Sequence, residues 1–146
     1  MANYCCTIRT NYFHVKDERK FRDLMDRVYG SEDTVELWES KDKNGNMVFG
    51  FGVYGGISGV RNAKEDYDED ADETAYDEFI DGLQECVADD DAIIIFESGN
   101  ENLRYVVGSA TIITSKDYEY ISITHTASKR AAELLNSSEW TTQCEY

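Results

Sequence analysis

The 146-residue sequence contains no proline, no long apolar run and only two histidines. Without proline, glycine must make most of the turns. No run approaches the 18 or so apolar residues of a membrane-spanning helix. The N-terminal residues 1–4 also lack the charged and apolar regions of a signal peptide. We therefore expect a cytoplasmic protein.

Recognisable catalytic and cofactor motifs are also missing. The histidines, His14 and His125, lie in no pattern that pairs a nucleophile with a base. The four cysteines follow no metal-ligand spacing and are expected to be free thiols in a reducing compartment. Residues 55–59 form a glycine-rich loop without the GxxxxGK[ST] or GxGxxG pattern of a phosphate-binding loop. The sequence therefore predicts neither an enzyme nor a cofactor.

Acidic residues are abundant and unevenly distributed. Residues 1–64 contain ten Lys/Arg and nine Asp/Glu, whereas residues 65–146 contain four Lys/Arg and 21 Asp/Glu. Residues 65–91 alone carry 14 carboxylates and no Lys or Arg. A net charge of −16 opposes direct binding to nucleic acid or to an anionic membrane. Self-repulsion of this kind destabilises a compact state. We therefore expect the concentrated negative charge to serve either binding to a partner or solubility.

The charge density of residues 65–91 leads to our main hypothesis, mimicry of nucleic acid. As one helix, these residues would span about 40 Å, with one charge per roughly 3 Å. Duplex DNA carries one charge per about 1.7 Å. Such a surface could occupy the basic groove of a nucleic-acid-binding protein or nuclease. The candidate partner-binding residues are Glu65, Asp66, Asp68, Glu69, Asp70, Asp72, Glu73, Asp77, Glu78, Asp81, Glu85, Asp89, Asp90 and Asp91.

Three alternatives remain open for this acidic stretch. An immunity- or antitoxin-like partner of a basic nuclease would need aromatic anchors, for which Tyr67 and Tyr76 are candidates. A calcium-binding module over residues 66–77 would place aspartates at loop positions 1, 3, 5, 7 and 12. However, Ala71 stands where an EF-hand loop requires glycine, and position 12 is Asp77 instead of glutamate. Finally, the stretch could be a solvated surface that only keeps the chain soluble.

The hydrophobic pattern predicts a single α+β domain over residues 1–146 with a largely antiparallel sheet and about three helices. The first six elements have the βαββαβ order of a ferredoxin-like fold, followed by a β-meander and a C-terminal helix. The predicted helices cover residues 17–28, 74–87 and 126–135. The predicted strands cover residues 3–10, 34–40, 47–54, 92–97, 103–108, 110–114 and 118–124.

Several local features are also predicted. Asp17 is the expected N-cap of the first helix and Gly30 its C-cap. Thr74 with Asp77 approximates a capping box for the second helix, and Thr126 or Ser128 should cap the third. The expected turns are a type I′ turn at residues 44–45 and a turn at residues 99–100. Residues predicted to face inward from the last helix are Ala127, Ala131, Leu134 and Leu135.

One strand has an unusual alternation. In residues 47–54, Phe49, Phe51 and Val53 share one face, whereas Gly50 and Gly52 lie on the other. A glycine face allows close approach by another backbone or an aromatic ring.

The whole chain resembles a family of small acidic proteins carried on bacterial mobile elements. The resemblance rests on IRTNYFHV (8–15), FGFGVYGGI (49–57), AIIIFESGNENLRYVVG (92–108), ITSKD (113–117) and WTTQCEY (140–146). It implies no catalytic residues. By analogy, it implies a role similar to that of anti-restriction and anti-CRISPR proteins that mimic DNA.

Overall fold

The structure, a computed structural model, describes residues 4–61, 73–74, 76–103 and 105–140. These residues contain nine strands and three helices. The helices are α1 (Glu18–Arg27), α2 (Tyr76–Cys86) and α3 (Ile123–Leu134). The strands are β1 (Cys5–Thr10), β2 (Val28–Gly30), β3 (Glu36–Lys41), β4 (Met47–Tyr54), β5 (Ile57–Arg61), β6 (Glu73–Thr74), β7 (Ile93–Glu101), β8 (Tyr105–Ile113) and β9 (Tyr118–Ser122).

The main sheet has six strands in the order β3-β4-β1-β7-β8-β9, and every adjacent pair is antiparallel. Helix α1 lies between β1 and β3 in the chain, and α2 lies between β4 and β7, so two split βαβ units interlock. This arrangement confirms the predicted α+β class and its ferredoxin-like beginning. Strands β8 and β9 extend the sheet as the predicted meander. A smaller sheet has the order β2-β5-β6.

The hydrophobic core lies between the main sheet and helices α1 and α2. The Phe21 ring of α1 lies 5.0 Å from that of Phe49 in β4, and the Phe79 ring of α2 lies 5.6 Å from that of Phe51. Phe13, which follows β1, makes edge contacts with both Phe21 and Phe51. All five rings are at most 1% exposed. These contacts hold both helices on one face of the sheet, called the inner face below.

Helix α1 begins as predicted and ends differently. The Asp17 side chain accepts a hydrogen bond from the Lys20 backbone N–H at 3.0 Å, which confirms the N-cap. The predicted C-cap at Gly30 is wrong, because Val28–Gly30 form β2 and pair with β5. A Cβ on Gly30 would lie 2.1 Å from the Asp33 carbonyl oxygen, so this glycine is required by a close backbone approach.

Helix α2 confirms the second predicted helix, although it starts at Tyr76. Thr74, the residue predicted to begin the capping box, lies in β6 and pairs with Val60 of β5. Strand β5 itself replaces most of the predicted glycine-rich loop at residues 55–59. Its pairing partners β2 and β6 are distant in sequence, so local composition could not reveal it. Residues 65–72, the first part of the acidic stretch, lie outside the described residues.

Two predicted turns are wrong. Residues 42–46 form a five-residue loop in which the Asp42 carboxylate accepts hydrogen bonds from the backbone N–H groups of Asn44 and Asn46. Only Gly45 of the predicted turn pair has a positive φ, so the turn is not type I′. Residues 99–100 lie inside β7, because β1 pairs with β7 as far as Asn100. The two predicted strands at residues 103–114 accordingly form one strand, β8.

Helix α3 starts at Ile123, three residues before the predicted Thr126, and its N-cap Ser122 makes no side-chain capping bond. The predicted inward face is wrong: no residue of α3 is buried, and Leu134 and Leu135 are 71% and 59% exposed. The physical reason is that α3 packs mainly against β8 and β9, on the face of the sheet opposite α1 and α2. Asn136 has the positive φ of 53° expected of a residue that ends a helix.

The glycine face of β4 receives aromatic side chains. A Cβ on Gly52 would lie 2.7 Å from Cη2 of Trp38 and 2.8 Å from the carbonyl oxygen of Ile8. At Gly50, two residues earlier on the same face, the nearest atoms would be 3.4 Å away. Only Gly52 is therefore required by close packing.

We predict that Gly52→Ala lowers the free energy of unfolding by about 1–3 kcal/mol, because Trp38 or the backbone of β1 must move. Gly50→Ala is the matched control, with an effect below about 1 kcal/mol in either direction. Urea unfolding followed by tryptophan fluorescence measures both. Equal losses for the two variants would contradict the assignment of Gly52 as the contact position.

Candidate functional site

Helix α2 builds an acidic surface because its apolar and charged residues follow the helical period. Phe79, Ile80, Leu83 and Cys86 are buried against the core. The exposed acidic residues of the helix are Asp77, Glu78, Asp81 and Glu85. Asp77 and Glu78 lie in the first turn, where the positive end of the helix dipole favours carboxylates. The helix therefore carries like charges on a rigid, well-anchored element.

Half of the predicted partner-binding residues have described side chains. These are Asp77, Glu78, Asp81, Glu85, Asp89, Asp90 and Asp91. Glu73 lies in β6. The others, Glu65, Asp66, Asp68, Glu69, Asp70 and Asp72, lie outside the described residues. The structure thus bears on the helical and C-terminal parts of the acidic stretch.

The C-terminal part of this stretch is partly neutralised by residues near α1. Glu85 pairs with Lys20 at 2.8 Å, and this hydrogen bond raises the pKa of the lysine. Asp89 pairs with Lys16 at 3.1 Å, and the ammonium lowers the pKa of that carboxyl. These exposed pairs contribute little stability each, but they remove two carboxylates from the free acidic surface.

Asp77, Glu78, Asp81 and Asp90 form a different group. None of the four makes an ion pair with a residue of the described ranges. Asp77 and Asp81 are four residues apart, about 6 Å along the helix axis, and therefore lie on one face. We call Asp77, Glu78 and Asp81 the α2 carboxylate surface.

His14 makes an ionic cluster with two carboxylates. Its Nδ1 lies 2.7 Å from Oδ2 of Asp91, and its Nε2 lies 2.7 Å from Oδ2 of Asp42. The two ring nitrogens can donate hydrogen bonds at the same time only when the imidazole is protonated. The hydrogen bonds to Asp42 and Asp91 accordingly raise the pKa of His14 above its ordinary value. The cluster ties the chain after β1 to the β3–β4 loop and to the segment before β7.

The carboxylates of this cluster are shifted in the opposite direction. Hydrogen bonds from His14 and from the backbone of Asn46 and Asn44 lower the pKa of Asp42 to about 2. Partial burial acts to raise the pKa of Asp91, but hydrogen bonds from His14 and Ala92 outweigh it and keep the pKa below the usual value. Asp91 therefore acts as a structural anchor, in contrast to the exposed acids of α2.

The sequence shows His14 in no recognisable pattern and did not predict this cluster. The Asp42 and Asp91 partners are 28 and 77 residues away in the chain. No spacing rule connects residues at such separations, so only the tertiary fold brings them together.

A small cavity of about 240 Å³ lies on the inner face of the sheet, beside Glu97, Tyr76 and Tyr120. Above it the Tyr4 hydroxyl donates a hydrogen bond to Glu97 at 2.8 Å, and burial together with this carboxylate raises the pKa of Tyr4. Burial raises the pKa of Tyr76 to about 12. Tyr4 and Tyr76 are therefore held protonated, which suits hydrogen bonding better than proton abstraction.

Raised pKa values also argue against Cys6 and Cys86 acting as nucleophiles. Burial raises the pKa of Cys86 to about 11, and burial together with the Glu97 charge raises that of Cys6. Both groups remain thiols at neutral pH, whereas the thiolate is the nucleophile. Cys5, Cys6 and Cys86 form no disulfide with one another, and Cys144 lies outside the described residues.

The calcium alternative gains no support from the described part of the chain. There, no group of three or more His, Cys, Asp or Glu side chains is placed to hold a metal ion. The last described residues before the acidic stretch, Ile57–Arg61, form the strand β5, whereas an EF-hand needs a helix before its loop. The aspartates at 66, 68, 70 and 72 themselves are not described.

Comparison with known proteins identifies no relative. No family model, curated protein sequence or solved structure matches the chain. Among the described residues, no helix is both long enough and apolar enough to cross a membrane. The functional argument therefore rests on the geometry and charge of the chain itself.

The His14 cluster predicts a pH dependence of stability. Because folding raises the pKa of His14, its contribution is fully present below about pH 6.5 and is lost as the pH rises through the folded-state value. We expect His14→Gln to lower the urea midpoint most at pH 6 and progressively less toward alkaline pH. Urea unfolding between about pH 6 and 9 measures this difference.

His125→Gln provides the matched control. His125 is exposed on α3 and makes no ion pair with a described residue. Its replacement should leave the dependence of the midpoint on pH unchanged. A constant difference between wild type and His14→Gln at every pH would rule out the titration of His14 as the cause.

Proposed function

We propose that this chain is an acidic protein-binding domain that inhibits a nucleic-acid-binding protein or nuclease by occupying its basic groove. It acts in the cytoplasm and performs no chemistry. In this proposal it resembles the anti-restriction and anti-CRISPR proteins of bacterial mobile elements in mechanism. The partner meets carboxylates in place of phosphates and loses access to its own nucleic acid.

The observation that carries the proposal is the α2 carboxylate surface. Asp77, Glu78 and Asp81 are exposed, share a rigid helix and make no ion pair with any residue that the structure describes. A protein groove rich in Lys and Arg would meet charges whose backbone positions are already fixed by the helix. A fixed backbone reduces the conformational entropy lost on binding.

The internal pairing of basic residues strengthens this argument. Several basic side chains pair with carboxylates of the same chain: Lys16, Lys20, Arg22, Arg27 and Arg130. The pair with Lys20 neutralises Glu85, but no ion pair with a described residue cancels the negative charge at Asp77, Glu78 and Asp81. Such a field steers a basic partner toward the surface and raises the association rate.

Salt dependence follows from this mechanism. Binding through several exposed charges should weaken at least about tenfold between about 50 mM and 300 mM salt. The protein is immobilised, incubated with nuclease-treated bacterial lysate and washed at each salt concentration, and the released proteins are identified by mass spectrometry. A nucleic-acid-binding protein should dominate the high-salt fraction, and duplex DNA or RNA added as competitor should also release it.

The triple variant Asp77→Lys, Glu78→Lys, Asp81→Lys should abolish this capture while the fold survives. Its matched control is Glu36→Lys, Glu119→Lys, Glu139→Lys, which makes the same change in net charge at exposed positions away from α2. The control should retain most of the binding. Unchanged capture by the α2 variant, or equal loss in both variants, would overturn the assignment of α2 as the binding surface.

A further inference from the structure

A second surface lies on the opposite side of the main sheet. The side chains that face away from α1 and α2 form, together with α3, an open groove of about 720 Å³. Phe96 of β7, Ala110 of β8 and Ile121 of β9 are directly paired neighbours across three strands, so they form its floor. Helix α3 forms a wall, and its Ile123 packs against Gly108.

The floor and wall of this groove are apolar and accessible. Phe96, Ile121 and Ile123 are 50%, 37% and 60% exposed. No residue of α3 is buried, so the helix does not fill the space beside it. The volume falls in the range of about 300–1,000 Å³ that is typical of small-molecule sites. An apolar ligand body would remove this surface from water.

Two arginines give the groove a charge opposite to that of the chain. Arg9 projects from β1 and Arg130 from α3, and both line the groove. The Arg9 guanidinium lies 4.7 Å from the centre of the Trp38 ring and makes no ion pair with a described residue. Arg130 pairs with Glu133 at 2.9 Å, but both side chains are more than half exposed. Such a pair is weak and can be exchanged for a ligand.

Glu97 also lines the groove, but its carboxylate belongs to the other face. Glu97 pairs in register with Ile8, which is buried in the core, so both side chains point to the inner face. There the carboxylate accepts the hydrogen bond from Tyr4 at 2.8 Å. The charged groups that face the groove itself are therefore the two guanidinium groups.

We propose that this groove binds a small amphipathic anion, a molecule with an apolar body and one carboxylate or similar headgroup. The body lies over Phe96, Ala110 and Ile121, and the headgroup receives hydrogen bonds from Arg9 and Arg130. Guanidinium groups match carboxylates with paired N–H donors. This site lies away from α2 and does not depend on the proposed inhibitory function.

The overall negative charge of the protein makes a preference for anionic ligands informative. With a net charge of −16, long-range electrostatics favour cations everywhere. A preference for an anion can therefore come only from local groups. The fluorescent sulfonate 8-anilinonaphthalene-1-sulfonate serves as the probe. The competitors are dodecanoate and dodecyltrimethylammonium, which have the same apolar chain and headgroups of opposite charge. Both are used below their micellar concentrations.

We expect one probe molecule to bind per chain and dodecanoate, but not dodecyltrimethylammonium, to displace it. Arg9→Gln with Arg130→Gln should weaken dodecanoate binding about tenfold or more. The matched control, Arg19→Gln with Lys129→Gln, makes the same charge change at exposed positions outside the groove and should leave binding unchanged. Ala110→Phe should block binding by filling the floor.

Amide chemical shifts provide a second readout that locates the ligand. Dodecanoate should shift the signals of Arg9, Phe96, Ala110 and Ile121 in a saturable manner, and as a ligand of the folded state it should also raise the urea midpoint. Preference for the cationic competitor, or equal affinity of the groove variant and its control, would overturn the proposal. The proposal would also be overturned if the protein self-associated and bound no probe, because the groove would then be a protein interface. Binding only to phosphatidylglycerol vesicles would overturn it as well, because the groove would then be a membrane interface.

Discussion

The structure depends on the alternation of phenylalanine and glycine along β4. Phe49 and Phe51 point to the inner face and contact Phe21 of α1 and Phe79 of α2. Gly50 and Gly52 point to the outer face, where the Trp38 ring packs closely on Gly52. One strand thereby fixes both helices on one side and leaves room for an aromatic ring on the other. Loss of a buried phenylalanine in such a core costs about 3–5 kcal/mol.

This asymmetry gives the two faces of the sheet different properties. The inner face is covered by α1 and α2, and α2 presents the carboxylate surface to solvent. The outer face is covered only in part by α3 and retains exposed apolar residues beside Arg9 and Arg130. A protein partner on one side and a small anion on the other would not compete for the same residues.

The acidic stretch is compatible with folding because part of its charge is compensated by the N-terminal part of the chain. Lys16, Lys20 and His14 contact Asp89, Glu85 and Asp91, respectively. Each contact joins segments more than sixty residues apart in sequence, so the near-neutral first part of the chain counters repulsion in the second. The carboxylates at the start of α2 stay unpaired among the described residues, and the proposed binding to a partner rests on them.

Local periodicity and composition were enough to predict the α+β class, the Asp17 cap, the acidic outer positions of α2 and the βαββαβ order of the main-sheet strands with α1 and α2. The tertiary structure was needed to show which acids are neutralised, where β2 and β5 pair, and that α3 leaves its apolar residues exposed. His14 illustrates the reason: its partners Asp42 and Asp91 are far away in the chain. Contacts between distant segments are set by the packing of the whole chain, which no local pattern records.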